Sequence, residues 1–561
     1  MMKRAFAILL AAVLLLPLGP APRQADAASA VEIWVSPTGK KTADALGWYV
    51  SGGSYYLFLP GSLDVKTLKF GFTGVKKLTF TKEKKTVSAG DSADFLKAGD
   101  YAVTLDGKKK TLHVMKGSAG FPALFITTQS GTLDAIQKKK TVKEPGYLVF
   151  VGPDGKVQYD GALEHIKCRG NSSMTFVKKS YQIKLKTGAS LMGMGKSKKW
   201  ILTGNYRDKT LLRNQIVYDT ALYMNMPYTP EHISAEVYIN NEYQGLYLFS
   251  EKVMIDDDRV DIADLEEATE KLNSKALSKY AVSGSKTSVK GKYKAYKIPN
   301  EPEDLTGGYL VEFESYSVRY KQEASAYTTK KGNVLVMKSP EYASVNQMEY
   351  VSQKLQAFEN AIFAKDGKDP DTGLHYTEIV DLSSLVHKYL IEEYSKNYDG
   401  NSSSQYFYKP ADSVSPLFYA GPVWDYDSTF GSYAQEHNAA KVLSGQGLWI
   451  ATASGGTLWW PALYKQKDFL AAVKKTWKAE LKPAVEILLG KTKAPKNCPL
   501  RSLDEYAASV RDSVKMNDIR WPRRSNPSSV ANTGTGLDKN ITYIRKFLTD
   551  RYDFLCGEWG K

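Results

Sequence analysis

Cysteine is scarce: three residues in 561 cannot build a disulfide scaffold or a four-cysteine zinc site. The six histidines contain no H-x-x-x-H pair, which argues against a histidine-based metal site. Beyond the first thirty residues no apolar run reaches 18 residues, so no later membrane span is expected. No internal repeat and no sustained low-complexity tract is present, and 43% hydrophobic with 24% charged residues is ordinary globular composition. Disorder and fibrous architectures are thereby excluded for most of the chain. Acid is also in deficit, with Asp+Glu 60 against Lys+Arg 76 and a formal net charge of +16.

Aromatic residues are abundant, with 36 Tyr and 10 Trp. Such a load favours sheet surfaces and ligand platforms over helical bundles. The length is that of two to four domains at about 100–200 residues each. Met1-Met2-Lys3-Arg4 is a short basic stretch, Ala5 to Leu18 is apolar, and Ala25-Asp26-Ala27 offers an A-x-A cleavage site. These features predict a secretory signal peptide over residues 1–27, too short to span a membrane. An exported basic protein would meet anionic wall polymers or phosphate-bearing substrates. No nucleic-acid partner is expected.

Three regions follow. Residues 31–120 carry short alternating runs such as Tyr55–Leu59 and Tyr101–Leu105, broken by Gly, Pro and Asp. They predict a small β-sandwich-like module, closed by a linker at Lys116–Gly120. Residues 121–458 mix strands and helices and hold every informative motif, with 264–300 reading as an insertion or mobile lid. From 459 onward helical periodicity dominates, at Phe469–Leu489, Leu503–Met516 and Asn540–Phe554.

Within the central region, Ile166–Ser173 and Lys178–Lys186 read as a strand, a small polar turn and a second strand. Tyr181, Ile183 and Leu185 alternate with Gln182, Lys184 and Lys186. Backbone N–H groups around Gly170–Ser173 with a lysine nearby would suit phosphate oxygens, although a lysine-bearing surface hairpin has the same pattern. Asp208 is placed to cap an amphipathic helix carrying Arg213 and Asn214, and both of these suit a structural role as well as a binding one. Ala235–Asn240 and Gly245–Ser250 predict a hairpin ending at Glu251, either a surface carboxylate or the partner of a site lysine. Asp381–Lys396 reads as a helix running into Asn397-Tyr398-Asp399-Gly400-Asn401. A hairpin then exits at Gly421-Pro422-Val423-Trp424-Asp425-Tyr426-Asp427. One aspartate after a helix and another at a hairpin exit can meet at one edge. Phosphoryl transfer uses such a pair, one carboxylate at the attacking hydroxyl and one on Mg²⁺. A D-x-D turn without a metal would have the same sequence.

Six blocks in this order resemble the spore coat protein CotH family. They are Arg169-Gly170-Asn171-Ser172-Ser173, Lys179-Ser180-Tyr181 with Ile183-Lys184-Leu185, Asp208-Lys209 with Leu212-Arg213-Asn214, Gly245–Leu248 with Glu251, Asp399-Gly400, and Gly421-Pro422 with Trp424–Asp427. The resemblance covers roughly residues 121–440. It implies an α+β fold: a bilobal atypical kinase-like core, preceded by the small all-β domain and followed by the α-helical C-terminal region. It also implies ATP, Mg²⁺ and transfer to Ser/Thr of coat or surface proteins. By position, Asp399 would be the catalytic aspartate, and Asp425, with Asp427 and Asn401, would hold metal. Arg169, Asn171, Ser172, Lys179, Lys184, Glu251 and Arg213 would contact the nucleotide, with Lys184 the preferred phosphate lysine. Kinases usually place an Asn five residues after the catalytic Asp. Here that residue is Ser404, so Asn401 or Gln405 substitutes, or one metal is used. Two other readings share these residues: a non-catalytic coat or wall structural protein, and a ligase-type transferase using ATP. Cys168 reads as a buried apolar residue, and Cys498 with Cys556 as an available disulfide pair.

Overall fold

The computed structural model describes residues 31–284, 292–314, 322–452, 459–522, 529–531 and 533–560. The expected signal peptide lies outside the described residues. No helix among the described residues is long and apolar enough to cross a membrane.

Residues 31–116 form two β-sheets, one of three strands and one of six. Leu57, Leu59, Phe70, Leu78, Phe80 and Leu112 fill the core they share. This module is bolted to the next. Asn241, at a hairpin tip, donates to the carbonyls of Thr42 and Ala45, and Tyr238 donates to that of Phe58. The expected linker at Lys116–Gly120 is buried where it matters: the Ser118 N–H donates to Ser513 Oγ at 2.8 Å. A Cβ on Gly117 would lie 2.4 Å from the Glu236 carboxylate. The segment therefore fixes the module in place instead of letting it swing.

Residues 123–251 close into a seven-stranded barrel, sealed by parallel pairing of Ala123–Thr128 with His232–Ile239. Its interior is filled by side chains including Leu148, Ile166, Cys168, Tyr181, Ile183, Leu185, Trp200 and Phe249, as small barrels require. The hairpin read at 235–250 is present as His232–Ile239 and Glu242–Glu251.

A second, seven-stranded sheet runs in the order 282–284, 292–296, 326–328, 334–339, 309–314, 403–409, 419–420. The stretch 264–300, read as an insertion or lid, instead supplies the helix Leu265–Lys271 and two strands of this sheet. Residues 285–291 of that stretch lie outside the described set. Helices Val345–Phe363 and Leu382–Ser395 pack on the sheet in one large core. The C-terminal region is helical as expected, with Lys467–Thr476 continuing through a π-turn into Lys482–Leu488, then Leu503–Arg520 and Leu537–Trp559. Cys498 and Cys556 are both free thiols.

Candidate active-site cleft

A cleft of about 580 Å³ lies between the outer face of the barrel and the second sheet. From the barrel side it is lined by Lys167, Arg169, Asn171, Ser172 and Ser180, and from the sheet side by Glu312, Lys338, Ser404, Asp399, Asp425 and Asp427. Seven carboxylates and seven Lys or Arg side chains border it in all. A charged ligand suits such walls, and an apolar one does not.

The helix Leu382–Ser395 delivers Asp399. Asp381 caps its start by accepting the Ser384 N–H at 2.6 Å, and Lys396 ends it in the left-handed region at φ 44°. Burial pushes the Lys396 ammonium down to about 7, while it donates to the carbonyls of Lys441, Ser444 and Gln446. The next turn closes on Asp399, whose carbonyl accepts the N–H groups of Ser402 and Ser403.

Asp425 arrives from the other direction, at the exit of the hairpin made by Ser403–Lys409 and Tyr419–Ala420. Its backbone sits at φ 68°, a strained conformation for a non-glycine residue. The helix Arg213–Tyr223 holds that loop: Asn214 Oδ1 accepts the Tyr426 N–H at 2.6 Å, and Tyr218 Oη accepts the Asp425 N–H at 3.4 Å. Ser404 Oγ donates to the Asp425 carboxylate at 3.3 Å. Burial, then the Asp399 charge, pushes the Asp425 carboxyl up. Burial and Asp425 in turn push Asp427 up to about 6. Carboxyls pushed up by desolvation and by a neighbouring carboxylate mark a place that a cation would stabilise. Among the described residues no three His, Cys, Asp or Glu side chains converge as a metal cage. This donor chemistry fits a hard cation that takes one or two carboxylates and completes its shell with ligand oxygens.

The barrel side supplies most of the cations. Arg169 stacks on Trp424, 5.1 Å from its ring centre. Gly170 turns the chain at φ 87°, where a Cβ would lie 2.0 Å from Ser173 Oγ. Lys140 donates to Asn171 Oδ1 at 2.8 Å across the rim. Arg207 lies over Tyr433 at 4.3 Å and Phe176 at 5.4 Å, and donates to Ser428.

The sequence model of the CotH kinase protein family matches residues 166–555. The chain belongs to the CotH family. A search of curated proteins finds no match. The family match begins inside the barrel strand Val157–Arg169 and leaves the N-terminal β-module outside it.

Of the residues singled out in the sequence, Asp399, Asp425, Asp427, Arg169, Asn171 and Ser172 line this one cleft. The others do not. Lys184 points away on the barrel exterior, paired with Glu164 at 2.7 Å. The alternation of its strand was read correctly, but a closed barrel keeps its apolar face inside and divides its outer face between cleft and solvent. Lys179 donates to the Met174 carbonyl at 2.6 Å and lies off the cleft. Arg213 is buried, paired with Asp208 and donating to the Thr429 carbonyl, so its work is to set the Arg213–Tyr223 helix against the Asp427 loop. Glu251 pairs with Arg259 instead of a lysine, and burial pushes its carboxyl up to about 7. Asn401 is buried off the cleft, and the neighbour brought to Asp425 is Ser404.

Sequence reading missed Lys167, Lys338, Glu312 and Arg207 in the cleft wall, and Lys252 near its cations. Lys338 bridges Glu312 at 3.4 Å and Glu323 at 3.5 Å. Tyr309–Glu314 alternates, with Glu312 and Glu314 on one face, and that period was the available signal. Lys252 follows the strand Glu242–Glu251. Burial, then the charges of Lys199, Lys338, Lys167 and Arg169, push its ammonium down to about 7. Unfolding restores an ordinary lysine, so the unfolded chain binds more protons above pH 7 and this group's penalty fades as pH rises towards 10. A phosphate brought among these cations reverses the shift. Calorimetry at pH 8 in buffers of different ionisation enthalpy should therefore show uptake of about one proton when a nucleoside triphosphate binds. Lys252→Met should lose that uptake, and equal heats in all buffers would contradict it.

Proposed function

We propose that this chain is an exported, Mg²⁺-dependent atypical protein kinase that transfers the γ-phosphate of ATP to Ser/Thr hydroxyls of coat or surface proteins. One observation carries the reading: two half-buried aspartates from separate segments, Asp399 and Asp425, face one polar cleft whose opposite wall is cationic. On this reading the barrel and the seven-stranded sheet are the two lobes of a kinase-like core.

The roles follow from position. Arg169, Lys167 and Lys338 neutralise phosphate oxygens, while Asn171 and Ser172 border them on the turn after the barrel strand. The Phe176–Tyr206 pair, 5.6 Å apart, offers an aromatic wall for a base. Asp425 and Asp427 would hold Mg²⁺, which supplies Lewis-acid neutralisation of the β- and γ-phosphates. Asp399 accepts the proton of the attacking hydroxyl as the new O–P bond forms. The bond from the γ-phosphorus to the bridging oxygen then breaks, and ADP leaves. Ser404 fixes the Asp425 carboxylate from the strand side.

The test is ligand-induced stabilisation. ATP with Mg²⁺ should raise the melting temperature of the protein, by about 2.7 kcal/mol of added stability at a hundredfold excess over the dissociation constant. Neither component alone should match it. Product analysis separates the chemistries: a kinase yields ADP and phosphoserine or phosphothreonine, whereas a ligase yields an amide. An unchanged melting temperature with every nucleotide would end the proposal.

A further inference from the structure

Tyr426 stands between Asp425 and Asp427, which line the cleft, yet its own side chain is buried in the core. Every polar group it has is engaged. Its N–H donates to Asn214 Oδ1 at 2.6 Å, and its carbonyl accepts the Thr429 hydroxyl at 2.8 Å. Its own hydroxyl lies on a buried ion pair: it donates to Glu392 Oε1 at 2.5 Å and accepts from Lys388 Nζ at 2.9 Å. Lys388 and Glu392 are 2.8 Å apart, fully buried, and one turn from each other on the helix Leu382–Ser395.

That helix is the one that delivers Asp399. A buried ion pair recovers its desolvation cost only when further hydrogen bonds complete it, and here the completing hydroxyl comes from the D-x-D loop. Backbone bonds join the same two segments: the Tyr398 N–H donates to the Ser428 carbonyl at 3.1 Å, and the Phe430 N–H to the Ser395 carbonyl at 2.8 Å. Glu392 reaches the Asp399 turn with its other oxygen, since a Cβ on Gly400 would lie 2.6 Å from Oε2. One carboxylate therefore packs against the residue between Asp425 and Asp427 and against the residue that follows Asp399. The loop needs such anchors, because the φ of 68° at Asp425 persists only where its neighbours over-determine it.

We infer that Tyr426 is a positioning residue, whose hydroxyl, clamped by Lys388 and Glu392, holds Asp425 and Asp427 in register with Asp399. This role rests on the kinase reading of the cleft, and Tyr426 acts through the aspartates without touching nucleotide or substrate. Removing the hydroxyl leaves the bonds from Asn214 and Thr429 in place, so the loop keeps its path and the fold survives. What relaxes is the spacing of the loop carboxylates from Asp399. Nucleotide contacts on the barrel wall, at Arg169 and Lys167, come from another element and are unaffected. The expected defect is therefore selective: weaker use of the metal and slower transfer, with the nucleotide alone bound as before.

The experiment compares wild type with Tyr426→Phe, with Tyr243→Phe, and with Lys388→Met combined with Glu392→Gln. Tyr243→Phe is the control: that hydroxyl donates to the buried Glu236 carboxylate at 2.5 Å, a bond of the same kind outside the cleft lining. Each protein is followed by melting curves, single-turnover transfer, and calorimetric ATP binding in EDTA and across a Mg²⁺ series. Tyr426→Phe should slow transfer about 30-fold, the scale on which a displacement of about 1 Å acts, with ATP affinity in EDTA unchanged. The Mg²⁺ concentration that half-saturates the metal-dependent part of ATP binding should rise about tenfold, as when support behind metal ligands is lost. The Lys388–Glu392 double variant keeps an acceptor for the hydroxyl without either charge, and should stay within about threefold of wild type in both readouts. Tyr243→Phe should lower the melting temperature much as Tyr426→Phe does and leave both readouts at the wild-type value. Tyr426→Phe equal to wild type in either readout, or the same defect in Tyr243→Phe or in the double variant, would overturn the positioning role. A wild type without Mg²⁺-dependent ATP binding would end the kinase reading and this role with it, an outcome distinct from a normal wild type beside an unaffected Tyr426→Phe.

Discussion

Asp425→Asn should abolish phosphoryl transfer, by about 10³-fold or more, while leaving the protein at least as stable as the wild type. The two halves of that outcome have one cause. The half-buried Asp425 carboxylate lies near Asp399 and Asp427, and both desolvation and the Asp399 charge oppose its ionisation. Asparagine keeps the size and the Ser404 contact, and removes a charge that the fold does not otherwise welcome. Transfer has the opposite requirement, because the metal-held phosphates need that negative charge. A 10³-fold loss corresponds to about 4 kcal/mol of transition-state stabilisation. Asp399→Asn should show the same split, with nucleotide binding better preserved than in Asp425→Asn, since its partner is the substrate hydroxyl. Parallel melting curves and single-turnover transfer check both variants. A loss of activity accompanied by unfolding would remove the catalytic interpretation.

The second large effect is structural. Glu393 and Arg551 are 0% and 1% exposed and form a close ion pair between the helix Leu382–Ser395 and the last helix. Glu393 also accepts the N–H groups of Trp449, Ile450 and Ala451, and Arg551 donates to the carbonyls of Glu393, Gly445 and Gly447. Arg551→Met leaves a buried carboxylate without its counter-charge, which costs about 3–5 kcal/mol. Urea titration should show the loss in the transition that reports the helical region. The Glu393→Gln, Arg551→Met double variant should recover part of it, because it removes both charges. Trp449 Nε1 donates to the Asn397 carbonyl at 2.8 Å, so the same network steadies the turn that carries Asp399. Activity should fall with stability here, in contrast to Asp425→Asn.

Those two outcomes mark what the sequence could and could not convey. The aspartates were legible because each follows a recognisable element, a capped helix and a hairpin, and chemistry limits what such a pair does. The cradle turn was legible for the same reason: Gly170 and its polar neighbours interrupt a strand. Lys184 was misjudged because period-two alternation separates two faces of a strand without saying which stretch of a barrel's exterior meets a neighbour. Arg213 looked like a ligand because a buried arginine and a phosphate-binding arginine have the same spelling. Only the Asp208 carboxylate and the Thr429 carbonyl distinguish them. Glu312 and Lys338 belong to a strand pair with no motif, and tertiary placement alone makes them part of the cleft and sets Lys252 near its cations. At Lys116–Gly120, read as a linker, the fold uses small residues for close approach to Glu236 and Ser513, a contact that composition alone does not signal.

The most direct measurement incubates the protein from Ala28 with γ-labelled ATP and Mg²⁺, with and without a Ser/Thr-rich acceptor, beside Asp399→Asn and Asp425→Asn. Label on hydroxyl oxygens of the wild-type reaction, dependent on Mg²⁺ and lost in both folded variants, is the predicted result. Label that persists in Asp425→Asn, or no label together with no nucleotide-induced stabilisation, would contradict the account and leave the cleft without phosphoryl-transfer chemistry.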